Sequence, residues 1–356
     1  MCNIAGYVGN GKKEAAPILL EMLRAQEGFA GGYYTGIATI HEGKLYYAKL
    51  TGDVDCLTAQ TLAASLPGRI GIIHSRSKSG GGDEWAHPFI GSRGGEAKIA
   101  YVANGSIGCF KPRMEEFNAL AQRLFDDGYD LPSRVKIESS RYNTLSDGTV
   151  AHMSDVMCQL ILRNMEQGMA EAAAMEAAFC EMPSEIVGLV LSVAHPDSIF
   201  WSRINMPMFV ATCSHGQYLS STPTAMPRDA RMPTLLPPGS TGEVTAGGWK
   251  PRAFANPPAT VSPMTGEVCA AVRRAVADVL SDGAAHPLGD LTKAAKPHFA
   301  AADCLPSTAA VYEVLYLLQR QGRLGIETRR VDGVFEGMDA PKTYFQLFVN
   351  QWGNMA

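Results

Sequence analysis

The sequence has few charged residues, no paired cysteine motif and no long hydrophobic run. Charged residues make up 19% of its 356 residues and the formal net charge is -4, so nothing attracts it generally to nucleic acid or anionic lipid. None of the eight cysteines has CxxC spacing, which gives no support to a zinc ribbon or thioredoxin-type motif. Without a signal-peptide pattern or an apolar run of about 18 residues, we expect a cytoplasmic protein with no membrane association.

Apolar residues make up 46% of the chain, enough for a substantial core, and the length suggests more than one domain. Strands and amphipathic helices alternate through the first two thirds of the chain. A Pro/Gly-rich stretch from Pro223 to Pro263 then marks a boundary. We predict a main domain over residues 1–245, a linker over 246–263 and a small domain over 264–356.

The last segment has the pattern of a winged helix. Helices are predicted at Glu267–Leu280, Leu288–Phe299 and Thr308–Gly322, followed by strands on either side of a turn at Asp332–Gly333. Residues 265 to 350 contain nine Lys and Arg and ten Asp and Glu. A DNA-reading domain, in contrast, normally has an excess of basic residues. DNA is therefore an unfavoured partner, and a protein-docking role is favoured.

Cys2 follows the initiator Met and can supply both a nucleophile and a base. Once Met1 is removed, Cys2 carries a thiol and a free α-amine, whose reference pKa is about 7.7 to 8.0. The neutral amine can take the thiol proton directly or through a water. A second-position cysteine also occurs by chance in a first strand, so this residue is weak evidence by itself.

Three other sites fit an enzyme that acts on an amino-acid amide. Asn104 and Gly105 follow an apolar strand and can donate to one oxyanion, although Asn-Gly is also a common turn. Arg76 can hold a carboxylate, or be a surface residue at the start of a loop. Asp155 opens a helix, where it can bind an ammonium group or act as a cap. Their occurrence together with Cys2 makes coincidence a poor explanation.

The motifs resemble those of the class II glutamine amidotransferases, in the family's order over residues 2 to 230. The nearest resemblance is to the glutaminase half of glutamine--fructose-6-phosphate aminotransferase (glucosamine-6-phosphate synthase), without its sugar-isomerase domains. The segments that carry it are MCNIAGY at the start, GIIHSRSKSGG ending at Gly81, Trp85–Phe89, Tyr101–Gly105, Ser154–Asp155 and the strands from Ala194 to Thr224.

The resemblance implies an α+β fold, a four-layer αββα N-terminal-nucleophile sandwich, to which the small winged-helix-like domain is added. It implies that Cys2 is the nucleophile and that Asn104 and Gly105 form the oxyanion hole. It also implies that Arg76 and Ser79 contact the substrate and that Asp155 binds its α-amino group. No metal and no cofactor is expected.

Several positions depart from the family's pattern. Asn3 replaces a glycine beside the nucleophile, and Ala30–Gly36 replaces the RGYDSAG loop without its arginine. Ser77–Lys78 replaces Trp-Ala. A tract from about Leu131 to Val150 looks inserted, and its Asp147 is a rival to Asp155.

We therefore expect a glutaminase that releases ammonia from L-glutamine. Either a separate synthase subunit accepts the ammonia, or the protein is a stand-alone glutaminase; homo-oligomerisation stays open. Two alternatives also remain. One is an N-terminal-nucleophile hydrolase of another acyl amide, although Arg76 and Asp155 suit an amino-acid substrate. The other is a non-catalytic glutamine sensor whose winged helix docks on DNA or a partner, although a sensor has no need of a processed N-terminal thiol.

Overall fold

The computed structural model describes residues 2–78, 80–139, 141–258, 264–301, 307–335 and 338–348. Its strands are β1 (Asn3–Gly9), β2 (Tyr34–His41), β3 (Lys44–Thr51), β4 (Ile70–Arg76), β5 (Phe89–Arg93), β6 (Glu96–Ser106), β7 (Asn143–Thr144), β8 (Val150–Ala151), β9 (Glu185–Ser192), β10 (Ser198–Arg203), β11 (Phe209–Cys213), β12 (Gly216–Ser220), β13 (Arg231–Leu235), β14 (Ser240–Thr245), β15 (Gly248–Ala253), β16 (His286–Pro287), β17 (Leu324–Phe335) and β18 (Met338–Leu347). Its α-helices are α1 (Ala15–Arg24), α2 (Glu27–Ala30), α3 (Val54–Gln60), α4 (Met114–Asp126), α5 (Met153–Glu166), α6 (Glu171–Glu181), α7 (Gly266–Leu280), α8 (Leu288–Ala301) and α9 (Thr308–Arg320). None of the helices described is long and apolar enough to cross a membrane.

Two large antiparallel sheets form the main body of the protein. The first has seven strands in the order β13-β11-β12-β1-β4-β2-β3, and the second has six in the order β15-β14-β10-β9-β6-β5. The first strand in the chain, β1, lies inside its sheet between β12 and β4. The start of the chain is therefore held on both sides by strands from distant parts of the sequence.

The main core lies between the two sheets. Successive side chains of a strand point to opposite faces, and in β1 this places Ile4 and Val8 in the cluster shared by both sheets. Ala5 and Tyr7 point the other way and pack with α1. The apolar face of α1 includes Leu19 and Leu23, at the spacing of one helical turn.

Helices α4, α5 and α6 cover the outer face of the six-stranded sheet. Phe117, Leu120 and Leu124 of α4 recur at helical spacing and enter the same cluster as the buried side of α5 and α6. The resulting layers are helix, sheet, sheet and helix, the arrangement that the resemblance implied.

The Pro/Gly-rich stretch contains more regular structure than the sequence suggested. Strands β13, β14 and β15 lie inside it, and β15 falls within the segment predicted as a linker. Proline removes a ladder hydrogen bond and is tolerated on edge strands. Pro233 and Pro251 lie on β13 and β15, each at the edge of its sheet. The main body therefore extends to Ala253, beyond the predicted limit of residue 245.

The C-terminal part contains the three predicted helices and a long hairpin. Helix α7 begins after Thr265, whose Oγ1 accepts a hydrogen bond from the Val268 backbone N–H at 3.3 Å. Helices α7, α8 and α9 pack with the sheet β16-β18-β17 around one apolar cluster. The predicted turn at Asp332–Gly333 is wrong, because β17 continues to Phe335 with a shift of register after Val331.

The hairpin β17–β18 packs against α2 of the main body. The Phe29 ring of α2 meets the Phe345 ring edge-on, with centroids 5.0 Å apart, and both join the C-terminal cluster. A methyl group added at Gly28 would lie 2.5 Å from Oγ1 of Thr343. The Arg330 guanidinium contacts the buried Asp53 carboxylate at 2.6 Å. The two parts are thus joined by apolar, close-packed and ionic contacts.

We expect Gly28→Ala to destabilise the contact between the hairpin and α2 by about 1–3 kcal/mol, the usual cost of overpacking. The measurements are chemical denaturation and amide hydrogen exchange across β17 and β18. Gly289→Ala is the matched control, because Gly289 is also helical and has no atom within 4 Å of an added methyl group. Equal exchange in the two variants would contradict this account of the interface.

Candidate active site

The ends of three strands meet at one cavity. Cys2 immediately precedes β1, Arg76 is the last residue of β4, and Asn104–Gly105 lie near the end of β6. A cavity of about 410 Å³ is lined by Cys2, Arg76 and Gly105 together with residues from the tract around Tyr142. The sequence placed Arg76 and Asn104 after their strands; both lie inside them, where the ladders fix their backbones.

Cys2 and Asn104 are directly joined. The Cys2 backbone N–H donates to Oδ1 of Asn104 at 2.9 Å, and both residues are buried. An amide side chain has one acceptor oxygen and a donor NH₂ group. Because the Asn104 oxygen accepts the hydrogen bond from Cys2, this contact also fixes the orientation of the Asn104 NH₂ group.

Gly105 lies where two strands approach closely. It pairs with Ile186 of β9, and a methyl group at this position would lie 2.3 Å from the Glu185 carbonyl oxygen. Any larger residue would push β6 away from β9. The glycine therefore keeps the backbone beside Cys2 in register while it lines the cavity.

The Arg76 side chain is held by rings and carbonyl groups. Its guanidinium carbon lies 4.4 Å from the Tyr34 ring centroid and 5.2 Å from that of Trp85. Its Nη1 donates to the Trp85 carbonyl at 3.2 Å and its Nη2 to the Gly80 carbonyl at 2.8 Å. The guanidinium is thus fixed at the cavity wall.

Asp155 is fully buried and is not among the residues that line the cavity. Its carboxylate accepts hydrogen bonds from the Ser133 backbone N–H at 3.0 Å and from Nε2 of Gln159 at 3.3 Å. Burial raises its pKa to about 6. Ser133 in turn accepts a hydrogen bond from the Trp85 indole at 2.7 Å. Asp155 is therefore linked to the cavity wall indirectly, through Ser133 and through Trp85, which lies against Arg76.

Two further residues, Ser79 and Asp147, were candidates for the site on sequence grounds. Ser79 lies outside the residues that the structure describes. Asp147, the rival of Asp155, is exposed and pairs with Arg134 at 3.4 Å, away from the cavity lining.

Buried histidines that the sequence did not indicate cluster at the cavity, where His87 and His152 line the wall. The rings of His74 and His87 are 3.9 Å apart, and His87 and His152 meet edge-on at 5.5 Å. Burial lowers the pKa of His87 and His152 well below the usual value, so these rings are neutral. Both ring nitrogens of His87 lack a hydrogen-bond partner among the described residues, although the side chain lines the cavity. The family resemblance of the segment Trp85–Phe89 was the signal that could have identified His87.

Glu27 is a second feature that the sequence did not indicate. This buried carboxylate accepts hydrogen bonds from Ser75 Oγ at 2.7 Å, Thr35 Oγ1 at 3.1 Å and the Val54 backbone N–H at 3.0 Å. Desolvation raises its pKa to about 7. Ser75 precedes Arg76 and also accepts from the Gly32 backbone N–H at 2.7 Å. Glu27 thereby connects the Ala30–Gly36 loop to the strand that carries Arg76.

Among the described residues, one group combines three side chains able to ligate a metal, Cys213, His215 and Asp229, with their ligand atoms within 4.8 Å of one another. Both His215 nitrogens already have partners, since Nδ1 lies 2.7 Å from the Tyr7 hydroxyl and Nε2 lies 3.0 Å from Asp229. The group is therefore a satisfied hydrogen-bond network beside the β11–β12 turn.

Comparison with known proteins finds relatives of the kind that the sequence motifs resemble. The chain is 27% identical over 247 residues to glutamine--fructose-6-phosphate aminotransferase [isomerizing] from Pyrococcus horikoshii, a match covering 69% of this chain and 36% of the relative. The enzyme of the same name from Zymomonas mobilis is 27% identical over 228 residues, with 64% and 32% covered. The resemblance to glutamine amidotransferases is confirmed. The chain spans about a third of the length of these curated relatives, and no family model matches it.

Solved structures support the fold. The glutamine phosphoribosylpyrophosphate amidotransferase from B. subtilis, complexed with ADP and GMP, has a TM-score of 0.60 at 16% identity, covering 94% of this chain and 68% of the other. A structure described as the allosteric regulatory enzyme of purine biosynthesis has a TM-score of 0.59 at 17% identity, covering 94% and 67%. At this identity the likeness concerns the fold.

We expect the Glu27 carboxyl group to make the protein less stable as pH rises. Its folded-state pKa of about 7 is above the ordinary value of 4.5, so the folded protein binds this proton more tightly than the unfolded chain. Stability is then lost between about pH 4.5 and 7, by up to about 3 kcal/mol. The measurement is denaturation of wild type and Glu27→Gln from pH 5 to 8. Parallel curves would contradict the assignment.

Proposed function

We propose that the protein hydrolyses L-glutamine to glutamate and ammonia through a thioester on Cys2. The observation that carries this proposal is the 2.9 Å contact between the Cys2 nitrogen and Asn104, in a cavity that Gly105 and Arg76 also line. Removal of Met1 would turn that same nitrogen into an α-amine. A nucleophile, a base and an oxyanion donor would then belong to one pair of residues.

The reaction follows from these positions. The Cys2 amine takes the thiol proton, and the sulfur attacks the side-chain carbonyl carbon of glutamine. The Asn104 NH₂ group and the Gly105 N–H donate to the oxyanion. The carbon–nitrogen bond breaks as the amine returns a proton to the departing ammonia. Water then attacks the thioester, which gives glutamate and restores the thiol.

Arg76 is the proposed contact to the glutamine α-carboxylate, since its guanidinium is a rigid donor at the cavity wall. Asp155 is proposed to position rather than touch the substrate. Its carboxylate holds the Ser133 backbone, Ser133 holds the Trp85 indole, and Trp85 lies over Arg76. The predicted direct contact of Asp155 with an α-amino group would require these hydrogen bonds to rearrange. Ser79 remains a predicted substrate contact.

The ammonia acceptor is proposed to be a separate synthase subunit, and the C-terminal part a winged-helix-like docking domain. Its described residues form three helices and a ribbon. Helix α9, at the place of a recognition helix, packs on the main body, where Gln319 donates to the Thr224 carbonyl at 3.4 Å. This position and the balanced charge favour protein docking over DNA binding.

We expect Cys2→Ala to abolish glutamate release from L-glutamine, and Asn104→Ala to lower kcat by about 10²–10³-fold, the usual effect of losing one oxyanion donor. The measurement is glutamate production by Met1-processed protein, with processing checked by intact mass. Cys109→Ala is the control, because this exposed thiol is outside the cavity lining and its loss should leave the rate unchanged.

Turnover that persists in Cys2→Ala would refute the assigned nucleophile. Wild-type protein that binds glutamine without releasing glutamate, with or without a partner, would identify the alternative, a glutamine-sensing regulator.

A further inference from the structure

The cavity in front of Cys2 is larger than glutamine requires. Its volume of about 410 Å³ lies in the range of sites that hold drug-sized molecules, about 300–1,000 Å³. Besides Cys2, Gly105 and Arg76, its wall includes Lys111, from the turn that follows β6, and Arg141, from the inserted tract. Lys111 and Arg141 thus line the same cavity as the proposed reacting residues.

The charges along this wall have one sign. Arg76, Lys78, Lys111 and Arg141 line the cavity, and no Asp or Glu is among its described lining residues. Lys111 and Arg141 are exposed and make no ion pair with a described carboxylate. The nearby Glu185 accepts a hydrogen bond from the Cys109 backbone N–H at 3.2 Å and is outside the lining. A wall of this kind attracts an anion.

His87 adds an independent indication of a larger ligand. It is 1% exposed, lines the cavity, and neither ring nitrogen has a hydrogen-bond partner among the described residues. Buried polar groups are normally paired, so a ligand that fills the cavity would complete this site. Glutamine can be extended at its amide nitrogen without changing the α-carboxylate, the α-amino group or the reacting carbonyl.

We propose that Cys2 acts on γ-glutamyl amides whose amide nitrogen carries an anionic group, which Lys111 and Arg141 bind. This rests on the proposed roles of Cys2 and Arg76. The reaction is the same hydrolysis: the bond to the substituted nitrogen breaks, the amine leaves with a proton, and water releases glutamate from the thioester. Lys111 and Arg141 supply charge-assisted hydrogen bonds to the leaving part.

The test compares γ-L-glutamylglycine with the neutral γ-L-glutamylglycinamide, which has nearly the same shape. We expect wild-type kcat/KM to be at least about tenfold higher for the anionic compound, as one charge-assisted hydrogen bond allows. The double variant Lys111→Gln/Arg141→Gln should lose this preference, and Lys111→Arg should keep it. Lys44→Gln/Arg228→Gln, which removes two exposed charges outside the cavity lining, should behave as wild type.

The outcomes separate this inference from the proposed glutaminase activity. Cys2-dependent hydrolysis of glutamine without an anionic preference would overturn the inference alone. Hydrolysis of γ-L-glutamylglycine but not of glutamine would support the inference and refute the glutaminase. If neither compound is hydrolysed, calorimetry of the Cys2→Ala protein decides: binding of γ-L-glutamylglycine that depends on Lys111 and Arg141 supports the anion site, and its absence refutes it.

Discussion

The hydrogen bond from the Cys2 nitrogen to Asn104 depends on how the two sheets are packed. Cys2 precedes β1 of the seven-stranded sheet, and Asn104 belongs to β6 of the six-stranded sheet. The contact forms because the intervening core, which includes Ile4 and Val102, sets the spacing between the sheets. A packing defect in that core would alter the geometry of this pair even though no residue of the site had changed.

The parts of the fold that were predictable from sequence have strong local patterns. Strand β1, helix α1 and the hairpin β2–β3 follow from apolar periodicity and a His-Glu-Gly turn. The three C-terminal helices follow for the same reason. Strands β13 to β15 were missed because proline and glycine indicate loops locally, and only the edge positions of Pro233 and Pro251 in the sheets make them compatible with strands.

The site residues that could be predicted from sequence are those whose type and position in a motif point to a single function. Cys2, Gly105 and Arg76 line a common cavity, and Asn104 accepts a hydrogen bond from the Cys2 backbone N–H. Asp155 was not predictable in the same way, because the same position can cap a helix, bind a ligand or hold a buried loop, and tertiary contacts decide between these. The pKa shifts of Glu27 and His87 arise because segments distant in sequence bury these side chains. Such burial cannot be predicted from the residues on either side of them.

The contact between the hairpin and α2 has a consequence for how the protein is made. Arg330 pairs with Asp53 across 277 residues of sequence, and β18 packs on the helix that carries Glu27 and Phe29. During synthesis the N-terminal segments leave the ribosome first, whereas Arg330 and β18 emerge much later. Helix α2 and Asp53 therefore acquire these neighbours only after the rest of the main body has been synthesised. Final packing of the segment that carries Glu27 and Phe29 is in this way coupled to synthesis of the hairpin.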